Sequence, residues 1–251
     1  MNTTTTLESL VTDEHKKQYE EQGFFVLENV VPAEHLELLR EELQRYIDEL
    51  DAEMDAEGVT KKGINHKGSR YFIAAYKKDR NPRLAEFLFS PLMRELCNAT
   101  IGPEAYLFVE QYVVKAAETG MKFSWHQDGG YVGHDHKPYL SAWVTLDDVT
   151  IENGTVYMLP YEKAGSKDLI KHVKDPETND MVGYFGDDPG VPVIVPAGSI
   201  ACFSSTCFHR SGFNNTDKMR RVYLCQYSPE PIYNKAGTAP WNLIEPFPEA
   251  E

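Results

Sequence analysis

A chain of 251 residues with 39 Asp and Glu against 25 Lys and Arg, a net charge of −14, lacks the positive footprint that nucleic acid or an anionic membrane would require of a main partner. Its 41% hydrophobic and 25% charged residues describe an ordinary soluble globular protein with enough chain for a substantial core. Met1 to Leu10 has no apolar stretch of the signal-peptide kind, and no run of about eighteen apolar residues occurs, so a cytoplasmic protein without a membrane span is expected.

The first residues, 1–11, are Thr-rich and are expected to be disordered. Thr12 to Glu21 reads as a short helix capped by Thr12 or Asp13. Gly23 stops it, and Phe24 to Leu27 follows as a strand. Pro32 suits the first turn of a second helix. There Leu36, Leu39, Leu43, Ile47, Leu50 and Met54 recur every three or four positions and set one stripe against a core. Residues 61–80 are basic, with Lys61, Lys62, Lys67, Arg70, Lys77, Lys78 and Arg80 against Asp79. They read as a solvated loop or as a local attractor for an anionic substrate or cosubstrate, with Arg70 a candidate anion contact. Residues 82–101 predict two short helices, with Asn81 and Ser90 as caps ahead of Pro82 and Pro91.

From about residue 105 the texture changes to short strands. Tyr106–Lys115, Leu140–Leu146, Thr155–Leu159, Val191–Val195, Ser199–Ser204 and Arg220–Tyr227 are separated by Gly, Pro and Asn. Many strands after a helical start predict a mainly β, α+β protein: a β-sandwich or jelly roll with helices packed outside. The expectation is a single domain over 1–251, mostly helical over 12–104, with the β core over 105–228 and an extended, proline-bearing tail over 229–251. Residues 165–190, rich in Lys, Asp and Gly, read as a disordered insert or as a lid over a site. Cys97, Cys202, Cys207 and Cys225 have no metal or redox spacing and are expected to be reduced and buried.

The chemistry concentrates at Trp125-His126-Gln127-Asp128, answered downstream by His209 and Arg220. Alternate residues of a strand point the same way, so His126 and Asp128 share a face. A histidine from another strand then completes two imidazoles and one carboxylate, which fill three positions on one side of an octahedral metal, as in non-haem Fe(II) oxygenases. His134-Asp135-His136 is a rival cluster, but it lies in a Gly- and Pro-flanked loop with no returning strand. His209 ends an apolar run and is followed by Ser211, Asn214, Thr216 and Arg220, polar groups that a hairpin would fold back beside it. An arginine fork suits a dicarboxylate cosubstrate in a way that a lysine does not; Arg220 and Arg221, on opposite strand faces, both qualify. On the strand from Leu140, Ser141, Trp143 and Thr145 form a mixed face suited to lining a cavity, although Trp143 also reads as core. Gln111 and Lys115 share a face of the preceding strand, and Gln111 is a candidate contact for cosubstrate or substrate. Phe123 and Tyr131, flanking the His-x-Asp, read as pocket walls or as aromatic core.

Taken together these pieces resemble the phytanoyl-CoA dioxygenase family of Fe(II)/2-oxoglutarate oxygenases. The likeness runs from about residue 12 to 228. Besides Trp125 to Asp128 it rests on Trp143-Val144-Thr145-Leu146-Asp147-Asp148, on Glu152-Asn153-Gly154-Thr155, and on His209-x-Ser211-x-x-Asn214-x-Thr216-x-x-x-Arg220. The resemblance implies a double-stranded β-helix, cupin-like core, with iron at His126, Asp128 and His209. It further implies the distal carboxylate of 2-oxoglutarate at Arg220, helped by Ser211, with Trp143 beside the cosubstrate; the family's His-to-Arg spacing favours Arg220 over Arg221. The implied reaction is hydroxylation or a related oxidation of a small molecule, with dioxygen consumed, succinate and CO2 released, and ascorbate a candidate stimulant. Halogenating relatives lack a carboxylate at the position of Asp128, so its presence favours hydroxylation. Where many relatives carry Pro-Gly-Ser-His, this chain has Pro160-Tyr161-Glu162-Lys163. Rival expectations are a catalytically silent metal-binding β-barrel sensor and a zinc hydrolase. Substrate identity and oligomeric state are not legible in the sequence.

Overall fold

A computed structural model describes residues 9–117, 122–176 and 181–248. Helix α1 (Asp13–Gln22) starts at Thr12, whose Oγ1 accepts from the His15 amide while His15 Nδ1 accepts from the Thr12 amide, two otherwise orphaned donors satisfied reciprocally. It ends on Gly23 at φ 91°, and β1 (Phe24–Leu27) follows at once. Helix α2 (Ala33–Glu57) buries Leu38, Leu39, Leu43, Tyr46 and Met54, with Leu36, Ile47 and Leu50 packed at the edge of the same cluster. Asn81 and Ser90 cap α3 (Pro82–Leu88) and α4 (Pro91–Thr100), and Pro at the first helical position removes an amide that would have had no partner.

The strands elsewhere in the described chain pair antiparallel. The strands are β2 (Tyr71–Ile73), β3 (Tyr106–Lys115), β4 (Phe123–His126), β5 (Leu140–Thr145), β6 (Val156–Leu159), β7 (Val191–Pro192), β8 (Ile200–Ser204), β9 (Phe208–Ser211), β10 (Arg220–Ser228) and β11 (Glu245–Pro246). A seven-stranded sheet runs β1-β8-β5-β10-β3-β11, with β2 also paired to β3, and a four-stranded sheet runs β7-β6-β9-β4. One side of the large sheet, including Ala142, Val144, Cys202, Tyr223 and Cys225, joins Leu39, Leu43, Phe87 and Leu96 of the helices in the main core. The other side, with Trp143, Ala201, Phe203 and Val222, meets Val156 and Met158 of the small sheet in a second cluster. Helices thus cover one face of a jelly roll and leave the space between its sheets for a site.

Two stretches carry more structure than their composition suggested. Residues 61–66 form a small hairpin, and Tyr71–Ile73 extends the large sheet. Three of the lysines over 61–80 are paired locally: Lys62 with Glu53 and Glu57, Lys67 with Asp55, and Lys78 with Glu49 and Glu53, all on α2. In the proline-bearing tail, Ile232 and Leu243 are buried and Glu245–Pro246 pairs with the start of β3. Proline is tolerated there because the strand lies at a sheet edge. Conversely, only Val191–Pro192 of the predicted strand over 191–195 is in the ladder, with Val195 in an isolated bridge to Val149. All four cysteines are buried and unpaired, and no described helix is long and apolar enough to cross a membrane.

Leu39 is fully buried between α2 and the large sheet. Leu39→Ala is expected to lower the unfolding free energy by about 2–5 kcal/mol, measured as a shift of the urea midpoint at constant slope.

Candidate active site

Strands β4 and β9 are neighbours in the small sheet, and their register sets His126 directly opposite His209, with ring centroids 4.2 Å apart. Asp128 lies just beyond the strand, at the start of the helical turn Asp128–Tyr131. The face-sharing expected of His-x-Asp therefore comes from a strand end and a turn rather than from one straight strand. Asp128 Oδ1 is 3.8 Å from His126 Nε2 and 3.4 Å from His209 Nε2.

Each ligand atom is oriented from behind. His126 Nδ1 donates to the Ser124 carbonyl at 2.7 Å and His209 Nδ1 to the Cys207 carbonyl at 3.1 Å, so both rings present Nε2 inward. Asp128 Oδ2 accepts from Ser141 Oγ at 2.6 Å and Gln226 Nε2 at 2.8 Å, which leaves Oδ1 facing the imidazoles. Burial, followed by the charge of His209, pushes His126 down to about 3. Burial alone would raise the Asp128 carboxyl, but the two imidazoles and the Ser141 hydroxyl hold it at about 2. His209 is likewise opposed by burial, yet Asp128 raises it. The three ligand atoms lie within 4.8 Å of one another, and among the described residues this is the one such cluster. A neutral imidazole, a carboxylate with its second oxygen occupied, and a second imidazole suit a divalent metal with open positions.

The other end of the site is cationic. Arg220 opens β10 opposite Lys115 at the end of β3. Strand alternation sends Arg221 to the other face, where it clamps Asp147 through contacts of 2.9 and 2.5 Å. Arg220 is 2% exposed, and Nη2 donates to the Gly154 carbonyl at 3.3 Å, while Nε and Nη1 have no partner. Gly154 has to be glycine: at φ 80° a Cβ would lie 2.7 Å from the Gly212 carbonyl oxygen. Lys115, also buried, donates to Ser211 Oγ at 2.8 Å and to the Gly212 carbonyl. Burial and the adjacent Arg220 push its ammonium down to about 6, and burial takes Arg220 down to about 10. A buried guanidinium and a buried amine with no facing carboxylate are costly to keep charged unless an anion joins them. The Trp143 ring lies 5.4 Å from the Arg220 guanidinium.

Both ends open into one cavity of about 450 Å³, which Gln111, Trp143, Ser211 and Gln226 also line. Phe123 and Tyr131 wall it, their rings 6.3 and 5.6 Å from that of His126. The expectations for Arg70 and the rival histidines lead elsewhere: Arg70 donates to the Ile64 carbonyl, and His134 Nε2 contacts the Tyr233 carbonyl. No described residue of 165–190 lines this cavity; 177–180 lie outside the described residues. Instead the stretch is strapped behind the His126, Asp128 and His209 cluster. Gln127, pointing away from the cavity, donates to the Asp168 and Thr206 carbonyls and accepts from the Ile170 amide, while its own amide donates to His172 Nε2. Tyr161, in the departure from the relatives' Pro-Gly-Ser-His, bonds Thr206 and packs under Gly23. Gln226 was not singled out from the sequence, Ser141 was read only as part of a cavity-lining face, and Lys115 was named without a role beside Arg220. The signal for Lys115 was present, since it shares strand parity with Gln111.

The profile of the phytanoyl-CoA dioxygenase (PhyH) family matches residues 19–222. Phytanoyl-CoA dioxygenase domain-containing protein 1 of Mus musculus is 20% identical over 281 residues, covering 93% of this chain and 94% of that protein. Among solved structures, EctD from S. alaskensis, with 2-oxoglutarate and 5-hydroxyectoine, superposes with a TM-score of 0.70 at 18% identity, covering 95% of this chain and 85% of that one. EvdO2 from Micromonospora carbonacea var. aurantiaca, complexed with 2-oxoglutarate, gives 0.66 at 21% identity, covering 86% and 90%.

Titration with Ni(II), followed by calorimetry, is expected to give one site per chain that Asp128→Ala removes. Gln226→Leu, which frees Oδ2, should weaken it by about 10- to 100-fold. A metal must displace the proton that Asp128 stabilises on His209, so the affinity should rise with pH through the raised titration of His209.

Proposed function

The chain belongs to the phytanoyl-CoA dioxygenase family, and on that footing we propose that it is an Fe(II)- and 2-oxoglutarate-dependent oxygenase that hydroxylates a small molecule. His126, Asp128 and His209 would hold the metal, and Arg220, with Lys115 and Ser211, the distal carboxylate of the cosubstrate. The observation that carries this reading is the Arg220 guanidinium, buried with Nε and Nη1 unpartnered in the same cavity as a three-ligand face.

The oxidising power comes from Fe(II), 2-oxoglutarate and dioxygen when bound, with succinate and CO2 as products. The chain's own groups supply placement. Ser141 and Gln226 fix which Asp128 oxygen faces the metal, and the carbonyls of Ser124 and Cys207 fix the imidazole tautomers. Arg220 offers two N–H groups of a planar fork, which aligns a carboxylate rather than merely attracting it. Trp143, Val156 and Phe203 keep water from the space between the two ends. Asp128 as the third ligand leaves no place for a halide in its position, which supports hydroxylation.

Fe(II)-dependent conversion of 2-oxoglutarate to succinate tests the reading; its absence under every substrate screened, with metal and 2-oxoglutarate both bound, would favour a silent binding protein. Arg220→Ala is expected to raise the KM for 2-oxoglutarate by roughly 10- to 150-fold, the worth of a charge-assisted hydrogen bond. Lys115, held at about 6 without ligand, gains its proton when a carboxylate arrives. Binding of 2-oxoglutarate to the Ni(II) protein should therefore weaken as pH rises above about 6, and Lys115→Met should flatten that dependence.

A further inference from the structure

We infer that the substrate of this site is an uncharged, predominantly apolar small molecule bearing one hydroxyl or carbonyl that meets Gln111. The inference rests on the oxygenase reading above and names the kind of molecule it acts on. The cavity has two unlike ends. Among the described residues its charged side chains, other than the His126, Asp128 and His209 triad, are Arg220 and Arg210. Arg220, with Lys115 behind it, is matched to the cosubstrate's carboxylate. Arg210, next to inward-facing His209, turns to the opposite face of its strand. Its guanidinium lies 4.1 Å from the centre of the Tyr157 ring and 5.2 Å from that of Trp125, and it donates to the Pro189 carbonyl.

What remains for a substrate is walled by Ile64, Phe72, Val109, Phe123, Tyr131 and Trp241. Among the described residues, no Lys, Asp or Glu other than Asp128 lines it. From 61–80 only Ile64 and Phe72 line the cavity; Lys62, Lys67 and Lys78 are paired with acids of α2, and Arg70 is turned to Ile64 and His66. A substrate carboxylate, phosphate or ammonium placed here would lose its hydration with no counter-charge, at a cost no hydrogen bond to an amide recovers. An apolar body, by contrast, gains by leaving water against these walls. Gln111 sits on the inward row of β3, midway between Val109 and Val113, and its carboxamide has no hydrogen-bond partner among the described residues. A carboxamide both donates and accepts, so it can serve a hydroxyl or a carbonyl. The 450 Å³ must also take the cosubstrate, which keeps the substrate small and argues against a nucleotide-linked thioester lying wholly within it.

The test is calorimetric, on full-length protein loaded with Ni(II) and saturating 2-oxoglutarate so that no turnover occurs. Two matched series share a scaffold and differ in charge: 2-naphthol, 2-naphthoate and 2-naphthylmethylamine; and 1-adamantanol, adamantane-1-carboxylate and 1-adamantanamine. The neutral alcohol of at least one series is expected to bind at least ten-fold tighter than both charged members. Gln111→Leu, with Ni(II) and 2-oxoglutarate binding retained as the check on folding, should weaken that alcohol several-fold while leaving naphthalene or adamantane itself unchanged. A carboxylate or amine binding as tightly as its alcohol, or neither alcohol binding to the loaded protein, overturns the inference. Failure of Ni(II) and 2-oxoglutarate to bind at all, measured first, would instead overturn the oxygenase reading on which it rests.

Discussion

The antiparallel pairing of β4 with β9 is the constraint on which the site depends. It places His126 opposite His209 at the distance of neighbouring strands, a spacing set by backbone hydrogen bonds rather than by the imidazoles themselves. Asp128 then needs only a bend after β4 to close the triangle, and Ser141 on β5 and Gln226 on β10 hold its outer oxygen. The small sheet thus supplies both imidazoles and the large sheet fixes the carboxylate, so the three-residue cluster is assembled from both sheets. Gln127 ties the same bend to Thr206, just ahead of β9, and to the 168–172 segment from behind. The ligand-bearing segments are held from both sides.

Electrostatics divide the cavity. The buried pair Arg220 and Lys115 occupies one end with no acid opposed to it, a state that burial makes costly and that a dicarboxylate would relieve. Asp147, the nearby acid that could have quenched Arg220, is taken by Arg221 on the outer face. The partition of two successive arginines between opposite faces is therefore what leaves Arg220 Nε and Nη1 without a protein partner. Elsewhere the walls are aromatic and aliphatic, and the chain's large negative charge is kept outside, in part as the α2 acids that neutralise residues 61–80.

Much of this was legible in residue order because it follows from local rules. The Thr12, Asn81 and Ser90 caps, the stripe of α2 and the switch to short strands near residue 105 all arise from side chains acting within a few positions. Strand parity set Arg220 and Arg221 on opposite faces, the family's His-to-Arg spacing favoured Arg220, and the His-x-Asp pattern with a distant histidine marked the three residues that the sheets bring together. What stayed hidden depends on contacts across long stretches of chain. The partners of Asp128 lie 13 and 98 residues away. The pairing of basic 61–80 with α2 and of Glu245–Pro246 with β3 has no local periodicity to betray it. The 165–190 stretch read as insert or lid because its composition is polar, yet a single glutamine between two metal ligands anchors part of it.

The central claim is that one cavity holds a metal at His126, Asp128 and His209 and a dicarboxylate at Arg220. A crystal structure of the protein grown anaerobically with Ni(II) and 2-oxoglutarate tests it most directly. The account predicts one metal ion bonded to both Nε2 atoms and Asp128 Oδ1, with the far carboxylate of 2-oxoglutarate on Arg220 and within reach of Lys115 and Ser211. A metal bound elsewhere, or a 2-oxoglutarate whose carboxylates both avoid Arg220, would contradict it.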